Sequence, residues 1–158
     1  MLQADGWSQW IPFGTQNSAR IPEDVRYGVY RNRLVDRAGV PIPIKRPGGT
    51  DMDGTVYIGT AGVRDIDSPC PMRARFTMHS RAHNSGKTGK ARNKRLVRLW
   101  QKIAAKDAGA RMEFQYRPLS SATHAKAVED EMLYQFRRRF GVDPDDLWCD
   151  EARHLEPF

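Results

Sequence analysis

The sequence predicts an α/β (α+β) fold in which helices cover a small β-sheet, and three observations carry that expectation. Two strand signals, around 27–30 and 55–58, follow one another with only a Gly- and Pro-rich loop between them, which favours an antiparallel pair. Helical signals follow that pair, and one alternating segment, 111–117, separates the last two of them, so the order reads β-β-α-α-β-α. The chain has 158 residues, 39% hydrophobic and 9% aromatic, enough for one core and too short for two. Residues 1–158 are therefore expected to form a single domain.

Residues 1–25 read as an N-terminal arm. Gly6, Pro12, Gly14 and Pro22 interrupt it, and Trp7, Trp10 and Phe13 give it rings that need a surface to dock on. The core spans about 26–140. Tyr27, Val29 and Tyr30 give the first strand, and 38–53, with Pro41-Ile42-Pro43 and Pro47-Gly48-Gly49, predicts an extended loop. Thr55-Val56-Tyr57-Ile58 is the clearest strand, stopped by Gly59 and Gly62. A helix capped by Asp67 or Ser68, with Pro69 and Pro71 in its first turn, runs to about His83. Beyond the loop 84–89, a helix is expected from about Lys90 to Ala108, closed by Gly109. Met112, Phe114 and Tyr116 share one face of the strand 111–117. Ser120 or Ser121 caps a last helix to Phe140, closed by Gly141, and an acidic tail, 141–158, follows.

Charge is distributed unevenly. Lys and Arg number 26 against 19 Asp and Glu, a net charge of +7. Between Pro71 and Lys106 there are eleven basic residues and no acidic one, while 143–156 holds six carboxylates and one Arg. A field of one sign attracts polyanions, of which nucleic acid is the obvious one. Lys87, Lys90, Arg92, Lys94, Arg95 and Arg98 are the candidate nucleic-acid-binding residues, with Arg137-Arg138-Arg139 as a second cluster. The plainer reading is a solvated basic face, but without acids that face lacks the usual i,i+4 ion pairs. No run approaches the ~20 apolar residues of a membrane helix. The start lacks a basic region followed by an apolar run, so a cytoplasmic location is expected. Cys70 and Cys149 stand in no C-x-x-C pair, which argues against a cysteine zinc site.

Three features look chemical. On the last helix, Glu129 falls inside the apolar stripe of Ala125, Val128, Met132, Leu133, Phe136 and Phe140. A carboxylate there is costly unless it is paired or binds a cation. On the earlier helix Arg75 and His79 share a face, a poor structural pair but a good one for a phosphate: a fork of donors beside a proton-transfer group. On the strands, Gly28 lies on the face of Tyr30 and Gly59 on the face of Tyr57, leaving space above the sheet. Each feature alone also fits ordinary structure: a rim Glu, a surface Arg beside an unrelated His, tyrosines and glycines at strand ends.

Taken in order, these residues resemble the GIY-YIG nuclease superfamily. Gly28-Val29-Tyr30 looks like the first signature tripeptide and Tyr57-Ile58-Gly59 matches the second. Arg75-Phe76-Thr77-Met78-His79 is similar to the Arg helix, and Glu129 with Met132 and Leu133 to the Glu helix. The resemblance covers roughly 26–140. Tyr30 and Tyr57 are 27 residues apart, an extended spacing similar to that of restriction-endonuclease members. An alternative alignment on His83-Asn84-Ser85-Gly86-Lys87 makes Arg81 and His83 the second choice for the catalytic pair. The family's Asn after a Pro beyond the Glu helix is missing from Asp143-Pro144-Asp145-Asp146.

The resemblance implies a three-stranded antiparallel sheet flanked by helices and a metal-dependent DNA endonuclease. Glu129 would hold one Mg²⁺ or Mn²⁺, Arg75 the scissile phosphate, and Tyr30 the attacking water. Tyr57 would bond the phosphate or the water, and His79 would accept a proton. DNA is the implied partner. A homodimer is implied for a restriction-like enzyme that cuts both strands. The alternative is a non-catalytic nucleic-acid-binding module on a decayed nuclease fold, which the missing Asn favours.

Overall fold

A computed structural model describes residues 2–62, 70–85 and 108–145. The elements are strand β1 (Ile11–Pro12), a 3-10 helix (Thr15–Arg20), and strands β2 (Tyr27–Val35), β3 (Ile44–Arg46), β4 (Gly49–Asp51) and β5 (Thr55–Ala61). Helix α1 (Met72–Ser85), strand β6 (Arg111–Leu119) and helix α2 (Ala122–Phe140) complete them. The expected helix 90–108 lies outside the described residues, as does the stretch 63–69 with its expected cap.

The α+β class holds, but the sheet is larger than three strands. Four antiparallel strands run in the order β1-β6-β2-β5, and β3 pairs with β4 in a separate hairpin. Two segments read as loops supply the extra strands. The N-terminal arm pairs Ile11 with Phe114 and Pro12 with Glu113. A proline is tolerated there because β1 is an edge strand, where a missing N–H costs no internal bond. The 38–53 loop folds back through Ile44–Arg46 and Gly49–Asp51, too short to show a period in the sequence.

Strand β2 is the spine, paired along its length with β6 and from Gly28 to Arg33 with β5. Between Asn32 and Arg33 the register against β5 slips by one, leaving Val56 unpaired. That bulge lets Val56 join Leu34, Ile44 and Met112 in one core cluster while Tyr57 packs at its border. Met72 and Phe76 of α1 bury against Tyr30, Phe114 and Tyr116 on that face of the sheet. Phe136 and Phe140 of α2 pack on Ile58, whose side chain alternates with that of Tyr57. Ser121 caps α2 by accepting from the His124 N–H, and Gly141 ends it at φ 78°, a left-handed turn that favours glycine.

The hairpin is fixed by a buried ion pair. Arg46 and Asp51 meet at 3.1 Å with side chains 0% and 3% exposed. Asp51 also accepts from the Thr55 N–H, and the guanidinium lies over the Phe136 ring at 4.6 Å. Asp51→Ala leaves that guanidinium buried without its carboxylate. We expect a loss of about 3 kcal/mol, seen as a lower urea midpoint with an unchanged m-value. Among the described residues no helix is long and apolar enough to cross a membrane.

Candidate active site

The N-terminal arm sets the rotation of α1. Arg73 donates to the Ile21 carbonyl at 2.7 Å, the Ser80 hydroxyl accepts from the Gly14 N–H at 2.7 Å, and the Met72 N–H reaches the Val25 carbonyl. Trp7 and Trp10, whose docking surface the sequence left open, stack on guanidiniums of β2. Arg31 lies 4.7 Å from the Trp7 centroid and Arg33 4.0 Å from the Trp10 centroid. With Met72 and Phe76 inside the core, the positions one turn apart at 75 and 79 turn toward the tyrosines.

Tyr30, Tyr57 and His79 meet in the fold. The Tyr30 and Tyr57 rings stack with centroids 5.8 Å apart, and the His79 ring stands edge-on to both at 5.3 and 5.2 Å. His79 Nε2 is 3.1 Å from the Tyr30 hydroxyl, and Nδ1 is 3.2 Å from the amide nitrogen of Asn32. Gly59 is the vacancy that makes this possible. A Cβ there would come within 2.8 Å of the Tyr30 hydroxyl and 2.7 Å of the Tyr57 ring. Gly28 allows a second close approach, since its Cβ would lie 2.4 Å from the Arg117 carbonyl and 2.8 Å from Met72 Cε.

Arg75 and Glu129 complete the set through their charges. Burial raises the Tyr30 pKa well above 10; Tyr57 and Glu129 add to the rise and Arg75 opposes it. Burial raises Tyr57 as well, opposed by its interaction with the Tyr30 hydroxyl and by Arg75, while Asp145 and Glu129 push it up. Burial, then Arg75, lower His79 to about 4, so the imidazole is neutral at physiological pH. Arg75 itself forms no ion pair among the described residues, and its Nε is buried without a hydrogen-bond partner. A half-buried cationic fork whose Nε is buried without a partner, and which meets no anion among the described residues, can receive one.

Glu129 is 14% exposed and carries the Lys126 ammonium at 2.7 Å, which also bonds Asp130. One carboxylate suits Mg²⁺, which keeps several waters and completes its shell with substrate phosphate. Among the described residues there is no cluster of three or more His, Cys, Asp or Glu. Asp145 stands where the resemblance leads one to expect Asn, and its charge reaches Tyr57.

The second-choice residues sit elsewhere. His83 packs on Phe13 with centroids 5.3 Å apart, one turn beyond His79, and Arg81 is exposed. Lys87, Lys90, Arg92, Lys94, Arg95 and Arg98 lie outside the described residues. A cavity of about 280 Å³ near Arg31, Asp53, Glu131, Gln135 and Arg139 touches none of the tyrosine–histidine group. Asn32 is the buried polar neighbour of His79 that sequence reasoning missed. Its signal was its place two residues after Tyr30, which puts a polar amide on the same face of a core strand. A scan of family models and searches of curated proteins and of solved structures find no match for the chain.

Proposed function

We propose that this protein is a metal-dependent DNA endonuclease that hydrolyses phosphodiester bonds. The observation that carries the reading is Arg75, a guanidinium with a buried, partnerless Nε whose charge acts on Tyr30, Tyr57 and His79. A phosphodiester is the anion that gives such a group work in catalysis. Arg75 neutralises the charge growing on the phosphoryl oxygens, and the low polarity of the surroundings strengthens that contact. The tyrosine pair orients the attacking water, held in place by neutral His79. A divalent ion on Glu129 would supply the positive charge that stabilises the leaving oxygen. The basic segment 71–106 favours a nucleic acid over a small phosphate ester. DNA rather than RNA follows from the GIY-YIG resemblance.

The test is cleavage of plasmid and phage DNA by the natural protein and by Glu129→Ala, with Mg²⁺ or with chelator. Metal-dependent cutting that falls at least about a hundredfold in the variant is expected. Discrete products would mark sequence specificity. Salt-sensitive binding by both proteins with cutting by neither would instead establish the non-catalytic nucleic-acid-binding module.

A further inference from the structure

Arg31 follows Tyr30 on β2 and so points to the other face of the sheet, in register with Ile58 of β5 and Gln115 of β6. Arg33, two residues on, bonds Glu113 at 2.8 Å, and Arg46 bonds Asp51 at 3.1 Å. Arg31 has no such carboxylate among the described residues; Asp53, Asp5 and Asp51 attract it only from beyond ion-pair distance. Its one side-chain hydrogen bond among those residues runs from Nε to the neutral Gln115 Oε1 at 2.9 Å. Trp7 and Trp10 stack on the guanidinium at 4.7 and 5.2 Å. A half-buried Arg held by an amide and two indoles has its plane fixed and its Nη pair left over, a preorganised fork of donors.

Arg31 lines the cavity of about 280 Å³ that the sheet shares with the hairpin and α2. Ile58, Met132 and Phe136 give this cleft apolar walls, and Asp53 and Glu131 add exposed carboxylates. Arg139 also lines it but stacks on the Phe140 ring at 5.0 Å. Pockets for drug-sized ligands begin at roughly 300 Å³, so the room suits one planar ring system. The fork alone would accept a phosphate, but the carboxylates on the same cleft repel a second anion. A neutral ring with two adjacent acceptors and, on another edge, donors satisfies both. We propose that this cleft binds a guanine base of a nucleic-acid strand, unpaired or turned out of its stack. The Arg31 fork donates to O6 and N7, and the cleft carboxylates accept from N1–H and the N2 amino group. Adenine sets an amino group beside N7, which the fork rejects. Cytosine offers the fork O2 and N3 but brings the carboxylates only one amino group.

The cleft and the tyrosine–histidine group lie on opposite faces of β2 and β5 and share α2, where Met132 follows Glu129 by about one turn. The proposal rests on the nucleic-acid part of the nuclease reading and names the base that such a protein prefers.

The test is binding of the whole natural protein, with chelator present so that no metal-dependent cutting occurs, to oligothymidylates carrying one central guanine, adenine, cytosine or 7-deazaguanine. Fluorescence anisotropy reads the affinities. The guanine strand should bind at least about tenfold more tightly than the adenine and cytosine strands. 7-Deazaguanine, which lacks only the N7 acceptor, should lose most of that preference. Arg31→Lys keeps the charge without the planar fork and should bind all four strands alike. Equal binding of the natural protein to guanine and 7-deazaguanine, or a preference for adenine or cytosine, overturns the proposal whether or not the variant folds. Salt-sensitive binding with no base preference, or no binding at all, overturns it as well. Guanine preference without cleavage of any DNA by the metal-supplied protein upholds the cleft and overturns the nuclease reading. Metal-dependent cutting without guanine preference does the reverse.

Discussion

Arg75→Ala is expected to lower DNA cleavage by roughly 10³-fold, about 4 kcal/mol of transition-state stabilisation, while leaving the thermal midpoint unchanged or higher. The two effects share one cause. Arg75 has no carboxylate partner among the described residues, and its Nε is buried and unsatisfied, so folding desolvates that nitrogen for little return. Removing it sheds that cost together with the phosphate contact. Arg75→Lys keeps the charge but not the planar fork, and should recover less than about a tenth of the activity. Plasmid nicking rates and calorimetry on the same preparations read both quantities. An Ala variant that cuts within about tenfold of the natural protein would remove Arg75 from the chemistry.

The second large effect is on folding stability in mildly acidic solution. His79 is held neutral by burial, with Arg75 adding to it, and protonates in the folded protein only near pH 4 rather than 6.5. Above pH 6.5 the folded and unfolded chains both carry the neutral ring and its contribution is full. As pH falls the unfolded chain takes up the proton first, so stability drops until the folded form also protonates near pH 4. That window of about 2.5 pH units, at ~1.4 kcal/mol each, amounts to about 3 kcal/mol. Groups facing the ring are Tyr30, Tyr57 and Arg75, and the two tyrosines, both raised by burial, stay neutral through that range. Urea unfolding from pH 4 to pH 7 should therefore show a steeper fall in the natural protein than in His79→Gln. Parallel curves would mean that the ring is not kept neutral.

The elements that were legible carry a period or a cap long enough to read. Met112, Phe114 and Tyr116 alternate inward on β6, as their spacing predicts. Ser121 and Gly141 bound α2 where the sequence sets them. The elements that were missed are the short ones. Strand β1 has two residues and the hairpin strands have three each, below the length at which alternation differs from chance. What holds them is distant: Phe114 for Ile11, and Phe136 with Pro144 for Arg46.

The candidate site divides along the same line. Residue types and order alone named Tyr30, Tyr57, Arg75, His79 and Glu129, because local periodicity puts Arg75 and His79 on one helix face and Glu129 on an apolar stripe. The sequence by itself also determined the α+β class and the one-sided basic segment. Only the tertiary structure decided which histidine meets the tyrosines. His79 and His83 lie one turn apart on the same helix, and it is the docking of α1 through Arg73, Met72 and Ser80 that turns one toward Tyr30 and the other onto Phe13. Only the tertiary structure, too, brought Asn32 to His79, 47 residues away, and left Arg75 without a carboxylate among the described residues. Pairing across such distances depends on how helix and sheet pack, and the perturbed proton affinities depend on the burial that packing creates.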